Sequence, residues 1–185
     1  MTKAQMQARV KSLLIDALND ENEAKDVFNG LCKLNFFDAP ASTRYHGNYP
    51  GGLAEHSLNV TAALLSLRGE WKDCSWKLPR SPIIVGLFHD LCKCDQYNVT
   101  MGVGGGVANI DYRKDCVLKG HGDKSVMLAS TLLRLTDEEV LCIRYHMGAF
   151  CEKEEWADYA RAIHTCPTVL MTHTADMIAA HIMER

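Results

Sequence analysis

The run Ile83-Ile84-Val85-Gly86-Leu87-Phe88 constrains the fold of this chain more than any other segment. Ser81-Pro82 opens it, an N-cap residue followed by a proline in the first turn, where the missing N–H costs nothing. A helix that is apolar on nearly every face belongs at the centre of a bundle, with other helices around it. The run is far too short to span a bilayer. His89 and Asp90 follow immediately. Two polar side chains therefore leave the innermost element, where burial without a partner is expensive. They are expected to be paired or bound to a metal.

Most of the remaining chain carries helical periodicity. Met6, Val10, Leu13, Leu14, Ala17 and Leu18 keep helix spacing, Asn19-Asp20 break it, and Ala24, Val27, Phe28, Leu31 and Cys32 begin a second stripe. Residues 1–36 thus read as an N-terminal helical hairpin. A loop rich in turn-formers follows, from Asp38-Ala39-Pro40 to Tyr49-Pro50-Gly51-Gly52. Residues 53–67 form the next helix, with His56 in its first turn. Residues 97–112 depart from the pattern, with Gly102, Gly104, Gly105 and Gly106 between two short alternating stretches. That is a β-hairpin with a simple turn or a flap over a ligand; it lacks the strand-to-helix context and trailing Lys-Ser/Thr of a phosphate-binding loop. Helices are then expected over 123–135, after the capping box Thr136-Asp137-Glu138-Glu139 with His146 near the end, over 155–163, and from Pro167 onward. The last carries Val169, Leu170, Met177 and Ile178 as its stripe, together with Asp176. The expected architecture is a single all-α domain over 1–185, a bundle of about seven helices with a small β-hairpin insert.

The formal net charge of -3 argues against a broad electrostatic grip on duplex nucleic acid. It leaves room for a local basic groove or a small phosphorylated ligand. The opening Met1-Thr2-Lys3 begins an amphipathic helix rather than a signal sequence, so a cytoplasmic location is expected, with no membrane segment. Eight cysteines form no CxxC pair, and only Cys92-Lys93-Cys94 lie close together. They read as reduced, mostly buried thiols.

Six residues then stand out: His56, His89, Asp90, His121, His146 and Asp176. Successive intervals are about 25 to 33 residues, roughly one helix plus its connection. His89-Asp90 alone is a weak signal, because a lone histidine on an apolar helix is usually a hydrogen-bonded core residue. The combination carries more: a buried helix ending in the dipeptide, one upstream and two downstream histidines, and a late aspartate on an apolar helix. Four imidazoles and two carboxylates suffice for two metal ions, and a paired-metal site points to a reaction class. The mixed nitrogen and oxygen donors favour Mn²⁺, Fe²⁺, Co²⁺, Ni²⁺ or Zn²⁺ over Mg²⁺ alone.

Leu87-Phe88-His89-Asp90-Leu91-Cys92-Lys93, with His56 upstream and Asp176 downstream, resembles the HD superfamily of metal-dependent phosphohydrolases. The resemblance runs from about Phe37 to the C-terminus. The stretch from Tyr45-His46-Gly47 to Glu55-His56-Ser57 is similar to the segment around the first metal-binding histidine in HD domains of bacterial 3′-to-5′ exoribonucleases of the YhaM type. Cys92 stands where the family has a small residue, and reads as a packing variant. The resemblance implies that His56, His89, Asp90 and Asp176 hold a first ion, and that His121 and His146, with Asp90 bridging, hold a second. It implies hydrolysis of a phosphate ester by metal-activated water at Asp90, and Lys93, one helical turn beyond His89, is expected as a catalytic residue because its ammonium could reach a phosphoryl oxygen. Lys93 would also contact substrate, with Tyr45, His46 and Lys124, although a solvated lysine and an exposed loop histidine are the plainer readings. Asp123 shares with Lys124 the flank of His121. His173 is the best candidate for supporting a ligand from behind, while His164 and His181 read as structural or surface residues.

The function implied is that of a phosphodiesterase or nucleotidase acting on a nucleotide or a short single-stranded oligonucleotide end. Two alternatives stay open. HD-like proteins resembling inositol oxygenase and the phosphonate-cleaving oxygenase use four His and two Asp to hold a di-iron pair that activates O₂. A non-catalytic nucleotide-binding sensor would require degraded ligands, and none is missing here.

Overall fold

Ser81–Phe88 forms the short helix α4, and every one of its side chains is buried. The computed structural model describes residues 1–71, 74–102, 104 and 106–184. Around α4 pack α1 (Lys3–Leu18), α3 (Gly52–Leu67), α5 (Gly122–Ser130) and α6 (Asp137–Tyr145). Helix α2 (Glu21–Lys33) lies on α1, α7 (Trp156–Thr165) lies on α6 and α8, and α8 (Thr168–Ile178) packs against α3 and α6. The described residues hold eight α-helices and one two-stranded hairpin, an all-α bundle with a small β insert. No helix among them is long and apolar enough to cross a membrane.

Local chemistry explains the boundaries. Thr2 and Gln5 form a capping box on α1. Asn19 ends that helix in the left-handed region (φ 52°), and the Asp20 carboxylate accepts the N–H groups of Asn22 and Glu23 to start α2. The Asn19-Asp20 break is thus a C-cap and an N-cap in succession. Thr136 and Glu139 form the expected capping box on α6. Ser81, however, is not an N-cap. It is the first residue of α4, and its hydroxyl donates to the buried Glu139 carboxylate at 3.0 Å. The same carboxylate accepts from Arg80, at 3.1 Å to each oxygen. A buried acid across the helix pair out-competes local capping for that hydroxyl.

Helix α5 is shorter than the expected 123–135. Ser130 and Thr131 turn their hydroxyls back onto the carbonyls of Val126 and Leu128 as it ends. The hairpin pairs β1 (Tyr97–Met101) with β2 (Val107–Tyr112), from Tyr97 opposite Tyr112 to a bulge at Thr100/Met101. Of its strand residues, Ile110 alone is buried. Gly102, Gly104 and Gly106 lie in its turn; Gly105 falls outside the described residues.

Helices α3 and α4 approach closely because α4 has no side chain at Gly86. A Cβ there would meet Thr61 Oγ1 at 2.4 Å and Thr61 Cα at 2.6 Å. Gly86→Ala is therefore expected to force the pair apart, costing about 1–3 kcal/mol. At about 2–4 °C per kcal/mol for a chain of this size, the melting temperature should fall by several degrees. Gly69→Ala, which meets nothing within 4 Å, is the control, and a Gly86→Ala protein that melts with it would contradict this account of the packing.

Candidate metal centre

Five helix ends deliver the six candidate ligands to one place. His56 lies near the start of α3, His89 caps the C-terminus of α4, His121 precedes α5, and His146 caps the C-terminus of α6. Asp176 sits near the end of α8. Asp90 follows His89 outside the helical region, at φ -111° and ψ 20°, where the chain enters the 3₁₀ turn Leu91–Asp95. His56, His89, Asp90 and His146 are buried at the floor, while His121 and Asp176 form the partly exposed rim.

Asp90 is the hub. Its Oδ2 lies 3.7 Å from His56 Nε2 and 3.4 Å from His89 Nε2. Its Oδ1 lies 2.7 Å from His121 Nε2 and 3.4 Å from His146 Nε2. Asp176 Oδ1 is 3.1 Å from His56 Nε2, which in turn is 3.3 Å from His89 Nε2.

What sits behind each ring decides which nitrogen faces inward. The carbonyls of Gly86 and Ile143 can only accept, so His89 and His146 donate to them through Nδ1–H, at 3.0 and 2.8 Å. Their Nε2 lone pairs are left pointing into the centre. His56 turns Nδ1 to the Glu184 carboxylate at 3.0 Å, and His121 Nδ1 lies 3.4 Å from Cys92 Sγ. All four imidazoles thus present Nε2, as ligating histidines held from behind do. Asp90 Oδ1, His121 Nε2 and His146 Nε2 are buried and make no well-aligned hydrogen bond among the described residues, although Oδ1 and His121 Nε2 lie at ion-pair distance. Orphaned buried polar atoms cost about 1–3 kcal/mol each, and three converging on one point suit a cation. His56, His89 and Asp176, and likewise His89, Asp90 and His146, have donor atoms within 4.8 Å of one another and could hold metal ions.

The protonation states of Asp90 and His89 agree with that use, while His56 must release a proton to take part. Burial alone would raise the Asp90 pKa, but Lys93, with Nζ 2.6 Å from Oδ2, and then His89 and His121 hold it well below the usual carboxylate range. Burial lowers the His89 pKa, which keeps that ring neutral. His56 is pulled the other way: against burial, the Asp176 and Glu184 carboxylates push it up to about 9. The Asp176 carboxyl is lowered despite burial, chiefly by His56. Cys92 also has its sulfur within reach of Asp90 and His121. Burial, with the Asp90 charge behind it, pushes its pKa up to about 12, so a protonated thiol packs there.

The other candidate residues fall at different places. His46 lays its ring against His56, with centroids 4.8 Å apart. Lys93 sits on Asp90 as described. Tyr45 is 80% exposed, with its backbone N–H donating to the Ser42 hydroxyl, and it is not among the residues gathered at the floor of the centre. Lys124 is buried and paired with Asp95, and Asp123 pairs with Arg144. His173 supports the backbone of His146, with Nδ1 2.9 Å from its carbonyl. His164 and His181 lie on the surface. Glu184 and Asn59 were not anticipated. The π-helical turn Ala179–Met183 brings Glu184 round to His56, and Asn59 donates to the same carboxylate oxygen at 3.0 Å. A helical pattern read at 3.6 residues per turn gives no hint of that shift.

A divalent transition ion bound here should stabilise the fold by about 2.7 kcal/mol at a hundredfold excess over its dissociation constant. Thermal melts with and without Mn²⁺, Fe²⁺, Co²⁺, Ni²⁺ and Zn²⁺ should show an upward shift with at least one ion, and Asp90→Asn should abolish it. A chain that retains none of these ions and melts identically with all of them has no metal centre.

No family model matches the chain, no curated protein matches it, and no solved structure matches it.

Proposed function

We propose that the chain is a metal-dependent phosphohydrolase of HD type, a phosphodiesterase or nucleotidase acting on a nucleotide or a short oligonucleotide end. One observation carries the reading: a single ionised carboxylate, Asp90, divides its two oxygens between two groups of imidazoles. Such a carboxylate suits a bridge between two cations. In this reading His56, His89 and Asp176 would hold one ion and His121 and His146 the other, with Asp90 shared between them. The resemblance of residues 45–57 and 87–93 to HD phosphohydrolases supports the reaction class.

Two bound divalent ions would polarise phosphoryl oxygens and lower the pKa of water at the site. The chain's own residues supply the rest. Asp90 pushes the Lys93 ammonium pKa up against the effect of burial, so it stays charged. That fixed positive charge beside Asp90 suits a phosphoryl oxygen on which charge develops. His46 is shifted down, first by burial and then by the neighbouring His56, so its ring is neutral near pH 7 and offers a nitrogen to a substrate hydroxyl. His173 and Glu184 keep His146 and His56 in place. Unpaired cysteines suit a reducing compartment, and a cytoplasmic location is part of the proposal.

Purification with Mn²⁺ or anaerobic Fe²⁺, followed by bis-p-nitrophenyl phosphate hydrolysis and O₂ uptake in parallel, separates the readings. Hydrolysis that disappears in Asp90→Ala is expected, with two ions per chain and one in the His121→Ala/His146→Ala double variant. Oxygen consumption without hydrolysis would instead mark a di-iron oxygenase, and tight nucleotide binding without turnover a sensor. Lys93→Ala in the loaded protein should lower kcat by about 10²-fold or more, the cost of losing one donor to a developing oxyanion. An unchanged kcat would remove Lys93 from the mechanism.

A further inference from the structure

Beside the metal centre, between β2 and the start of α5, lies a cavity of about 420 Å³. His121 lines it, and Nε2 of the same ring lies 2.7 Å from Asp90 Oδ1, so the cavity and the centre share one imidazole. Arg113, Lys114, Lys119 and Lys124 also line it, with no carboxylate among the lining residues. That concentration of positive charge runs against a chain whose net charge is -3. Two of the four cations are engaged, Arg113 by Asp115 and Lys124 by Asp95. Lys114 and Lys119 are exposed and make no ion pair among the described residues. Helix α5 begins at this wall without a side-chain cap, so the positive end of its dipole adds to the same field. Tyr112, 60% exposed, supplies an aromatic ring. Free ammonium groups, a helix start and an aromatic ring are the elements that recognise a phosphorylated nucleotide.

We propose that this cavity binds a second phosphate of the substrate. The phosphate held at Asp90 then belongs to a nucleotide that carries at least one more. This rests on the reading of the metal centre as the place where a phosphate ester is held. The second phosphate has two possible sources, a polyphosphate chain or the next internucleotide link, and both present the same chemistry to Lys114 and Lys119. A nucleoside monophosphate leaves the cavity unused.

The test is calorimetric binding to the Mn²⁺-loaded full chain, with the same excess of free Mn²⁺ in cell and syringe so that the triphosphate does not strip the centre. The probes are thymidine 5′-monophosphate, thymidine 5′-triphosphate and 5′-phosphorylated dithymidylate. The triphosphate or the dinucleotide should bind at least tenfold more tightly than the monophosphate, and added salt should shrink that margin. The margin should collapse in Lys114→Ala/Lys119→Ala, while Lys25→Ala, an exposed lysine on α2, leaves it intact. A margin confined to the triphosphate assigns the polyphosphate chain; one confined to the dinucleotide assigns the internucleotide link. Equal affinities for all three probes, or a margin that survives the double variant, would overturn the proposal. Hydrolysis of bis-p-nitrophenyl phosphate without any such margin would leave the hydrolase reading standing alone. A lysine-dependent margin in a protein that hydrolyses nothing would do the reverse.

Discussion

An aspartate that is 2% exposed keeps its negative charge only where enough positive and dipolar groups face it. Asp90 meets that condition through the Lys93 ammonium on one oxygen and imidazoles around both. Lys93 and His89 are local to Asp90, but His56, His121 and His146 come from three other helices, so the charge is fully compensated only when the helices are in register. Removing one partner would leave a buried charge uncompensated, which typically costs about 3–5 kcal/mol. The geometry of the whole centre is thus tied to the cost of one carboxylate.

The register is set at the opposite ends of the same helices. The first turn of α6 carries two buried acids, Glu138 and Glu139. Glu139 accepts from Arg80 and Ser81 at the start of α4. Glu138 accepts from Thr168 at the start of α8, at 2.8 Å, and from the Lys77 backbone N–H ahead of α4. A polar clamp therefore joins the N-terminal ends of α4, α6 and α8, and their C-terminal parts carry His89, His146 and Asp176. Helices pinned at one end and packed along their length have little freedom to separate at the other. The His89 and His146 rings meet there at 4.9 Å.

The parts of this arrangement that depend on one element alone were legible in the chain. The all-apolar run at 83–88 announced a central helix, the Thr136 box announced α6, and His89-Asp90 behind a buried run announced a costly polar pair. Periodicity reports which face of a helix is buried; it does not report what lies opposite. Ser81 was read as a cap because Glu139 is 58 residues away in sequence. The partner of Lys124 was hidden for the same reason, since Asp95 faces it only in the folded protein. Within one suggestive loop the chain also did not say that His46 would lie against His56 while the Tyr45 ring stays exposed. Glu184 escaped because a π-helical turn changes which residues share a face.

The charges gathered at the centre bear on how many ions it would take. Among the described residues Asp90, Asp176 and Glu184 are the carboxylates gathered there, and Lys93 is the lysine ammonium set among them. The proton that raises His56 must leave when its Nε2 takes a metal, as ligand nitrogens are neutral. With the imidazoles neutral, the side chains then carry two net negative charges. A single divalent ion would cancel that charge and leave little attraction for a phosphate. Two would convert it into a positive charge of equal size, which suits the phosphate dianion of a nucleotide. The division of Asp90 between its two groups of imidazoles, and the excess of acids around it, point in the same direction for physically separate reasons.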